Sequence, residues 1–285
     1  MTTTIRRATP DDAAVCGPIL YEAFKAIADA HNFPPDFPSP EVGIGILGQL
    51  FGHPGLYAVV AERDGAIIGS NVLDERSPIV AVGPITVDPK VQNQGAGRLL
   101  MQALLDRAAQ TKAPGVRLVQ AGYHNRSLCL YASLGFRTRE PLSLMQGTPP
   151  GTRFPGYDVR PATAEDAAAC DALCLDVHGV HRGGELRDAI AAGTAVVVEH
   201  QERITGYATG LAFFAHAVGR TNQDLMAMIA AAPNYAGPGI FVPTRNHELF
   251  SWCQANGLRL VMQMTLMTIG LYNEPNGAWM PSVLY

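Results

Sequence analysis

Charge is scarce in this sequence. Of 285 residues only 16% are charged, against about 25% in an average domain. The 21 Lys and Arg are outnumbered by 25 Asp and Glu, for a net charge of −4. Without a basic excess to neutralise phosphates, a nucleic-acid partner is not expected. The five cysteines are odd in number and none forms a CxxC, and the 47% hydrophobic content excludes a disulfide-stapled miniature. The first residues do not read as a secretory leader, and a reduced, cytoplasmic protein is the expectation. Clean apolar runs are missing too. Residues 42–61 carry Gly43, Gly45, Gly48, Gly52, His53 and Pro54, and residues 225–244 carry Pro233, Asn234, Pro238 and Pro243. A membrane span of about 20 apolar residues does not tolerate that density.

What is present is material for packed cores. Hydrophobic residues make up 47% of the chain, and at about 150 residues per domain the length asks for two domains. The 29 Gly and 21 Pro predict frequent turns.

A repeat supports the count of two. Ala8-Thr9-Pro10-Asp11-Asp12-Ala13-Ala14-Val15-Cys16 and Ala162-Thr163-Ala164-Glu165-Asp166-Ala167-Ala168-Ala169-Cys170 agree at six of nine positions. Each starts with a Thr that can cap a helix and an Asp three residues on, as in a capping box. Val59-Val60-Ala61-Glu62 with Ile67-Ile68-Gly69 reads as a hairpin, and so does Val196-Val197-Val198-Glu199 with Arg203-Ile204-Thr205-Gly206. Asn125 opens a helical segment ending at Leu134-Gly135-Phe136, and Asn246 opens one ending at Asn256-Gly257-Leu258. Residues 147–156 hold three Gly and three Pro and read as a linker. The expected domains are therefore 1–146 and 157–285.

The copies are unequal. Thr9 to Gly69 spans 60 residues and Thr163 to Gly206 spans 43. Part of the excess is the proline-rich loop His31-Asn32-Phe33-Pro34-Pro35-Asp36-Phe37-Pro38. Each half reads as helix, three strands, helix, strand, helix, strand. That order predicts an α/β fold, a mostly antiparallel mixed sheet flanked by helices in each half.

The sharpest segment runs from Ile85, Thr86 and Val87 through Asp88-Pro89 and Gln92-Asn93-Gln94-Gly95-Ala96-Gly97-Arg98 into a helix. Leu99, Leu100, Ala103, Leu104 and Ala108 give that helix an apolar face. The first N–H groups of a helix have no intrahelical partner, and its macrodipole favours an anion there. With no side chain at Gly95 or Gly97, a phosphate can approach the backbone closely, and Arg98 can add a charge-assisted contact. A dinucleotide fingerprint fails because Leu100 stands where its third glycine would be, and the Gly-Lys-Ser/Thr of a P-loop is absent.

What remains, Val87-x-Pro89 followed by Gln92-x-x-Gly95-x-Gly97, resembles the acetyl-CoA-binding motif of the GNAT N-acetyltransferases. Leu130-Tyr131-Ala132-Ser133-Leu134-Gly135-Phe136 resembles a second segment of the same family. The resemblance covers residues 4–145, and residues 157–285 would be a degenerate second copy, as in tandem members. It implies that the strand at Ile85, Thr86 and Val87 offers backbone groups to the pantetheine arm of acetyl-CoA. The amides from Gln92 to Arg98 would wrap the pyrophosphate. Tyr131 would donate a proton to the leaving thiolate. Family members often carry Asn seven residues before that tyrosine; here His124 stands seven before it and Asn125 six before it. Either could take the role, and Asn125 also reads as a plain N-cap.

Attack by a neutral amine needs a proton acceptor. Asp74 and Glu75 are the first candidates, followed by Glu22, His31 and His53. Asp88 reads as a turn residue with Pro89. Cys170, Cys174, His178 and His181 fall at helical spacing, yet cysteines on one helix face are ordinarily core, and no metal is expected. Aligning Leu225-Met226 with Leu99-Leu100 puts Asp224 at the place of Arg98, so the second half is not expected to hold CoA. The apolar tail Trp279-Met280-Pro281-Ser282-Val283-Leu284-Tyr285 is expected to dock rather than fray. The leading reading is acetyl transfer to a primary amine of a small molecule or peptide. The alternative is a CoA-binding regulatory protein without turnover.

Overall fold

The computed structural model describes residues 2–33 and 36–284, so Pro34 and Pro35 of the proline-rich loop and Tyr285 of the tail lie outside the described residues. The chain forms two compact units. The first runs to Glu75 and includes Val80–Val116; the second is Arg76–Ile79 with everything from Arg117 on.

The first unit contains β1 (Thr3–Arg7), α1 (Ala13–Ala30), α2 (Pro40–Gly52), β2 (Leu56–Arg63), β3 (Ala66–Asp74), β4 (Ile79–Val82), β5 (Thr86–Val87) and α3 (Ala96–Gln110). β1, β2, β3 and β4 pair in sequence order, all antiparallel, and β5 also pairs with β3. Side chains alternate across a strand. On β3, Val72 joins the core of Cys16, Leu20 and Leu47 beneath α1 and α2. Asn71 faces the other way and meets Met101 of α3. Gly69 sits where a Cβ would lie 2.4 Å from the Thr86 carbonyl oxygen, so only glycine lets β5 close on β3.

The second unit contains β6 (Gly115–Ala121), α4 (Asn125–Ser133), β7 (Arg137–Gln146), β8 (Tyr157–Pro161), α5 (Ala167–His178), α6 (Gly183–Ala191), β9 (Val196–His200), β10 (Arg203–Ala208), β11 (Ala217–Gly219), α7 (Asn222–Ala231), β12 (Ile240–Pro243), α8 (His247–Ala255), β13 (Arg259–Gly270) and β14 (Ala278–Met280). Its strands form two runs, β6-β13-β7-β12 and β14-β11-β10-β9-β8. β7, from the first repeat, thus lies between β13 and β12 of the second. Packing and repeat therefore draw different boundaries: the compact units part at Val116 and Arg117, whereas the glycine- and proline-rich linker lies at 147–156. Each half also opens with a strand that its sequence does not announce, β1 and β8. Both are edge strands with mostly exposed or half-buried residues, so neither shows a clean alternation.

The repeat extends to side-chain geometry. The capping boxes form at Thr9 with Asp12 and at Thr163 with Asp166. Arg6 grips both oxygens of Asp12 at 2.8 Å and donates Nε to Glu62 at 2.8 Å. Arg160 grips both oxygens of Asp166 at 2.8 Å and donates Nε to Glu199 at 2.9 Å. Cys16 and Cys170 are both fully buried. Cys174 is as deeply buried as Cys170, and His178 packs edge-on against Trp279. His181 is exposed. Among the described residues no cluster of His, Cys, Asp and Glu gathers as a metal would require, and no helix is long and apolar enough to cross a membrane.

A buried polar network runs beneath α6. Arg182 binds Glu185 through three contacts of 2.7–3.0 Å. His216 Nδ1 lies 3.1 Å from Glu185 Oε2, and its Nε2 lies 3.1 Å from the Tyr207 hydroxyl. A neutral imidazole donating from Nδ1 leaves Nε2 to accept from Tyr207, so both nitrogens are satisfied. Burial and the Arg182 guanidinium push His216 down to about 4, against the pull of Glu185. Burial alone would raise Glu185, but Arg182 and His216 bring it below the usual carboxylate range. Unfolded, the imidazole takes a proton below about 6.5. Between that pH and about 4 the unfolded chain binds more protons, so stability falls as pH drops through the window. Melting temperatures at pH 4, 5, 6 and 7 should show this loss, and His216→Gln should reduce it, leaving the part due to His178, which burial also holds well below the usual imidazole range. A wild-type profile that is flat from 6.5 to 4 would refute the assignment.

Candidate functional site

The glycine loop is built by three local constraints. Asp88 Oδ1 accepts from the Lys90 amide at 2.9 Å and sets the turn after β5, the structural role that its place beside Pro89 implies. The Gln92 side chain reaches back and donates to the Val87 carbonyl at 2.9 Å. Gln92 therefore braces the loop with its side chain and leaves its backbone to line it. Asn93 and Gly95 are left-handed, with φ of 64° and 89°. Gly95 is the N-cap of α3, where a β-carbon would meet nothing; backbone conformation, not space, demands glycine there. The α-helical ladder begins with Leu99 N–H donating to the Gly95 carbonyl at 3.1 Å. The amides of Ala96 and Gly97 precede that ladder, at the positive end of the helix.

Two expectations about this segment need correction. Ile85 lies outside the strand, which is confined to Thr86–Val87. Leu99 is 42% exposed, and Met101 is fully buried in its stead. The residues of α3 that face inward are Ala96, Leu100, Met101, Leu104 and Ala108. Asn93, Gln94, Gly95 and Arg98 are exposed, with Gln94 also bound by Arg63.

The second family-like segment forms α4, within the second unit. Its N-cap is His124, whose Nδ1 accepts from the Ser127 amide at 3.0 Å. Asn125 is the exposed first residue of the helix and not its cap. Tyr131 is buried, 6% exposed, edge-on to Phe136. Burial pushes its hydroxyl up to about 12, with a Ser127 hydrogen bond pulling the other way. It is a protonated phenol throughout the neutral range. The candidate residues are thus divided between the units: Asp74, Glu75 and the loop in the first, His124, Asn125 and Tyr131 in the second.

The two carboxylates proposed as bases turn to opposite faces of β3. Asp74 is the last residue of the strand, buried, and shares the side of Val72, toward α1 and α2. Glu75 is tied to Arg107 of α3 by two bonds of 2.8 and 2.9 Å. Arg107 also lies over the Tyr57 ring. Of the lesser candidates, Glu22 and His31 are exposed, and His53 accepts from the Gly55 amide at 3.0 Å to close a turn.

Comparison with known proteins agrees with this geometry. An acetyltransferase (GNAT) domain profile matches residues 54–138, which include the loop, α4 and Tyr131. Over that stretch the chain is similar to the GNAT acetyltransferases. A mycothiol acetyltransferase from Thermomonospora curvata is 37% identical over 120 residues, which is 39% of this chain and 39% of that protein. Three solved structures share the fold over nearly the whole length. A GCN5-related N-acetyltransferase from Sphaerobacter thermophilus has a TM-score of 0.60 at 15% identity, covering 95% of this chain and 96% of its own. A tandem GNAT protein from the clavulanic acid biosynthesis pathway has 0.55 at 14%, covering 94% and 98%. A candidate acetyltransferase from Pyrococcus horikoshii has 0.71 at 17%, covering 97% and 94%. Identities this low carry the fold alone, and that fold is two GNAT-like domains in tandem.

The second GNAT copy can be aligned by its hydrogen bonds. Asp88 N–H donates to Ile68 at 2.8 Å and Arg220 N–H to Thr205 at 2.9 Å, each just past its strand. Phe136 N–H donates to Tyr131 and Leu258 N–H to Cys253, both at 3.0 Å. His124 therefore matches Asn246, one residue off the pairing of Asn125 with Asn246 that the sequences suggest. Tyr131 matches Cys253. Residues 88–94 of the first copy are reduced to Arg220 in the second. Thr221 then caps α7 in a capping box with Asp224, which accepts from the Thr221 amide at 2.8 Å and from the Thr205 hydroxyl. Beside this helix start lies a polar cleft of about 490 Å³, lined by Asn222, Arg245, Asn246, Glu248 and Trp279 among others.

The Glu75–Arg107 pair is half-shielded, so its worth is about 1 kcal/mol. Urea denaturation of Glu75→Gln, Arg107→Met and the double variant should show each single loss at about that size. The double variant should be no worse than either, since both remove one interaction. Strict additivity would mean that Glu75 is not held by Arg107.

Proposed function

We propose that the first GNAT copy transfers an acetyl group from acetyl-CoA to a primary amine of a small molecule or peptide, by direct attack. The observation that carries this reading is the left-handed entry of α3 at Gly95, which leaves the Ala96 and Gly97 amides ahead of the ladder, facing an exposed loop. The family motif assigns that loop to pyrophosphate, and the local chemistry suits an anion. The mycothiol acetyltransferase relative supports the same class of reaction.

The roles follow from the residues. Backbone groups at Ile85, Thr86 and Val87 would run beside the pantetheine arm, and an N–H there would polarise the thioester carbonyl. The amine nitrogen bonds to the carbonyl carbon, the C–S bond breaks, and Tyr131 gives its proton to the departing sulfur. Since coenzyme A leaves as a thiol of modest basicity, this proton contributes a limited share of the rate. Asp74 and Glu75 are the first candidates to accept the amine proton, and both oxygens of Glu75 are engaged by Arg107. The capping box at Thr221 and Asp224 supports a single cofactor site per chain, because a carboxylate already fills the second helix start.

The engagement of Glu75 also favours one alternative, a CoA-binding regulator with no turnover. Thiol release in a mixture of protein, acetyl-CoA and a panel of amines separates the two. Tight binding with no release across a broad panel would select the regulator, and no binding would sink both. Gly97→Asp puts a carboxylate at the helix start and should weaken acetyl-CoA binding by about 100-fold or more in calorimetry, roughly 3 kcal/mol. Tyr131→Phe should leave that affinity within about twofold while slowing turnover by about tenfold to 100-fold; unchanged turnover would remove Tyr131 from the mechanism.

A further inference from the structure

The apolar tail does dock, and where it docks is informative. β14 pairs antiparallel with β11, joining Ala217 to Met280, Val218 to Trp279 and Gly219 to Ala278. It also lies against β12. β11 is the second copy's counterpart of β5, since Gly206 pairs with Gly219 as Gly69 pairs with Val87. In the first copy β5 pairs with β3 and, among the described residues, with no other strand. Its second edge is the one that the family motif gives to the pantetheine arm. In the second copy that edge is taken by residues of the same chain.

The tail is anchored along its described residues. Asn276 N–H donates to Val177 at 2.8 Å and Val283 N–H to Phe213 at 2.9 Å. Ala278, Trp279, Met280, Ser282 and Leu284 are all buried, and the His178 ring meets the Trp279 ring edge-on at 5.6 Å. Main-chain bonds to a strand edge with alternate side chains in pockets are how extended peptides are bound by sheets.

We infer that the second copy's cofactor groove has become a peptide-binding groove whose resident ligand is the chain's own C-terminal segment, centred on Trp279. The shortened connection at Arg220 and the carboxylate of Asp224 remove the anion-binding loop, and β14 fills the strand edge that the loop once served. This inference rests on the duplicated geometry and not on the transfer chemistry of the first copy.

The groove can be tested without asking a truncated chain to fold. A specific protease site placed at residues 273–276 of the full chain allows the folded protein to be nicked between β13 and β14. The freed segment should stay bound. A fluorescent synthetic peptide of residues 276–285 should exchange into the nicked protein at one saturable site. The same peptide with Trp279→Ala should bind at least about tenfold more weakly. Coenzyme A in excess should neither displace the peptide nor raise its own stoichiometry after the nick. The inference is overturned if the nicked segment leaves with no change in melting temperature, if the Trp279→Ala peptide binds equally well, or if CoA displaces the peptide. Binding of CoA to the first copy is read in the same titration, so failure of the transferase reading would show separately.

Discussion

Antiparallel pairing of β7 with β13 joins the last strands of the two repeats to each other. β7 ends the first repeat, yet both its neighbours, β12 and β13, come from the second. An unpaired strand edge wastes backbone hydrogen bonds and invites aggregation. A first copy deprived of the second would expose both edges of β7. The second copy is therefore required by the fold whether or not it binds anything, which frees its remaining surface to diverge. That freedom has been used at the connection between a strand and the helix that follows it.

In the first copy, residues 88–94 separate β5 from the N-cap Gly95; in the second, Arg220 alone separates β11 from the N-cap Thr221. A long connection can fold back on its strand, as Gln92 does through Val87, and present a row of amides ahead of the helix. A connection of one residue cannot, and the chain passes directly into a capping box. Capping is the low-energy solution for a helix start that serves no ligand, since the carboxylate supplies what an anion would otherwise supply. The missing loop and the cap are thus two aspects of one shorter connection. With no long loop beside it, the strand edge of β11 is open to β14.

Much of this was readable in the sequence, for identifiable reasons. The repeat, the glycine loop and the Asp224 substitution are local patterns, and local patterns survive translation into structure. The matched spacings from Arg6 to Asp12 and from Arg160 to Asp166 were equally visible, a signal of the duplicated clamps that could have been used. Their second partners, Glu62 and Glu199, were out of reach because each lies across a strand pairing. The cap at His124 was hidden by chemistry: Asn is the common cap, and an imidazole nitrogen accepting from the Ser127 amide does the same work. The buried face of α3 keeps Leu100, Leu104 and Ala108 as the periodicity implies, and takes Met101 where Leu99 is expected. The opposition of Asp74 and Glu75 follows from strand alternation, but only once β3 is known to run through Asp74.

The turn that ends α4 and the turn that ends α8 show how backbone and chemistry separated. Gly135 and Gly257 are both left-handed, and in each case the following residue donates to the carbonyl five residues before it, at Tyr131 or Cys253. Both turns lead into the paired strands β7 and β13, so their geometry is held by the ladder. The side chain at the equivalent position is not so held. Where the first copy keeps a buried phenol, the second keeps a buried thiol, which burial pushes up to about 12. A thiol so disposed is neutral and packs as a small apolar group among the residues of its core. One position therefore holds a buried phenol in the copy with the loop and a buried thiol in the copy without it, while the backbone turn is common to both.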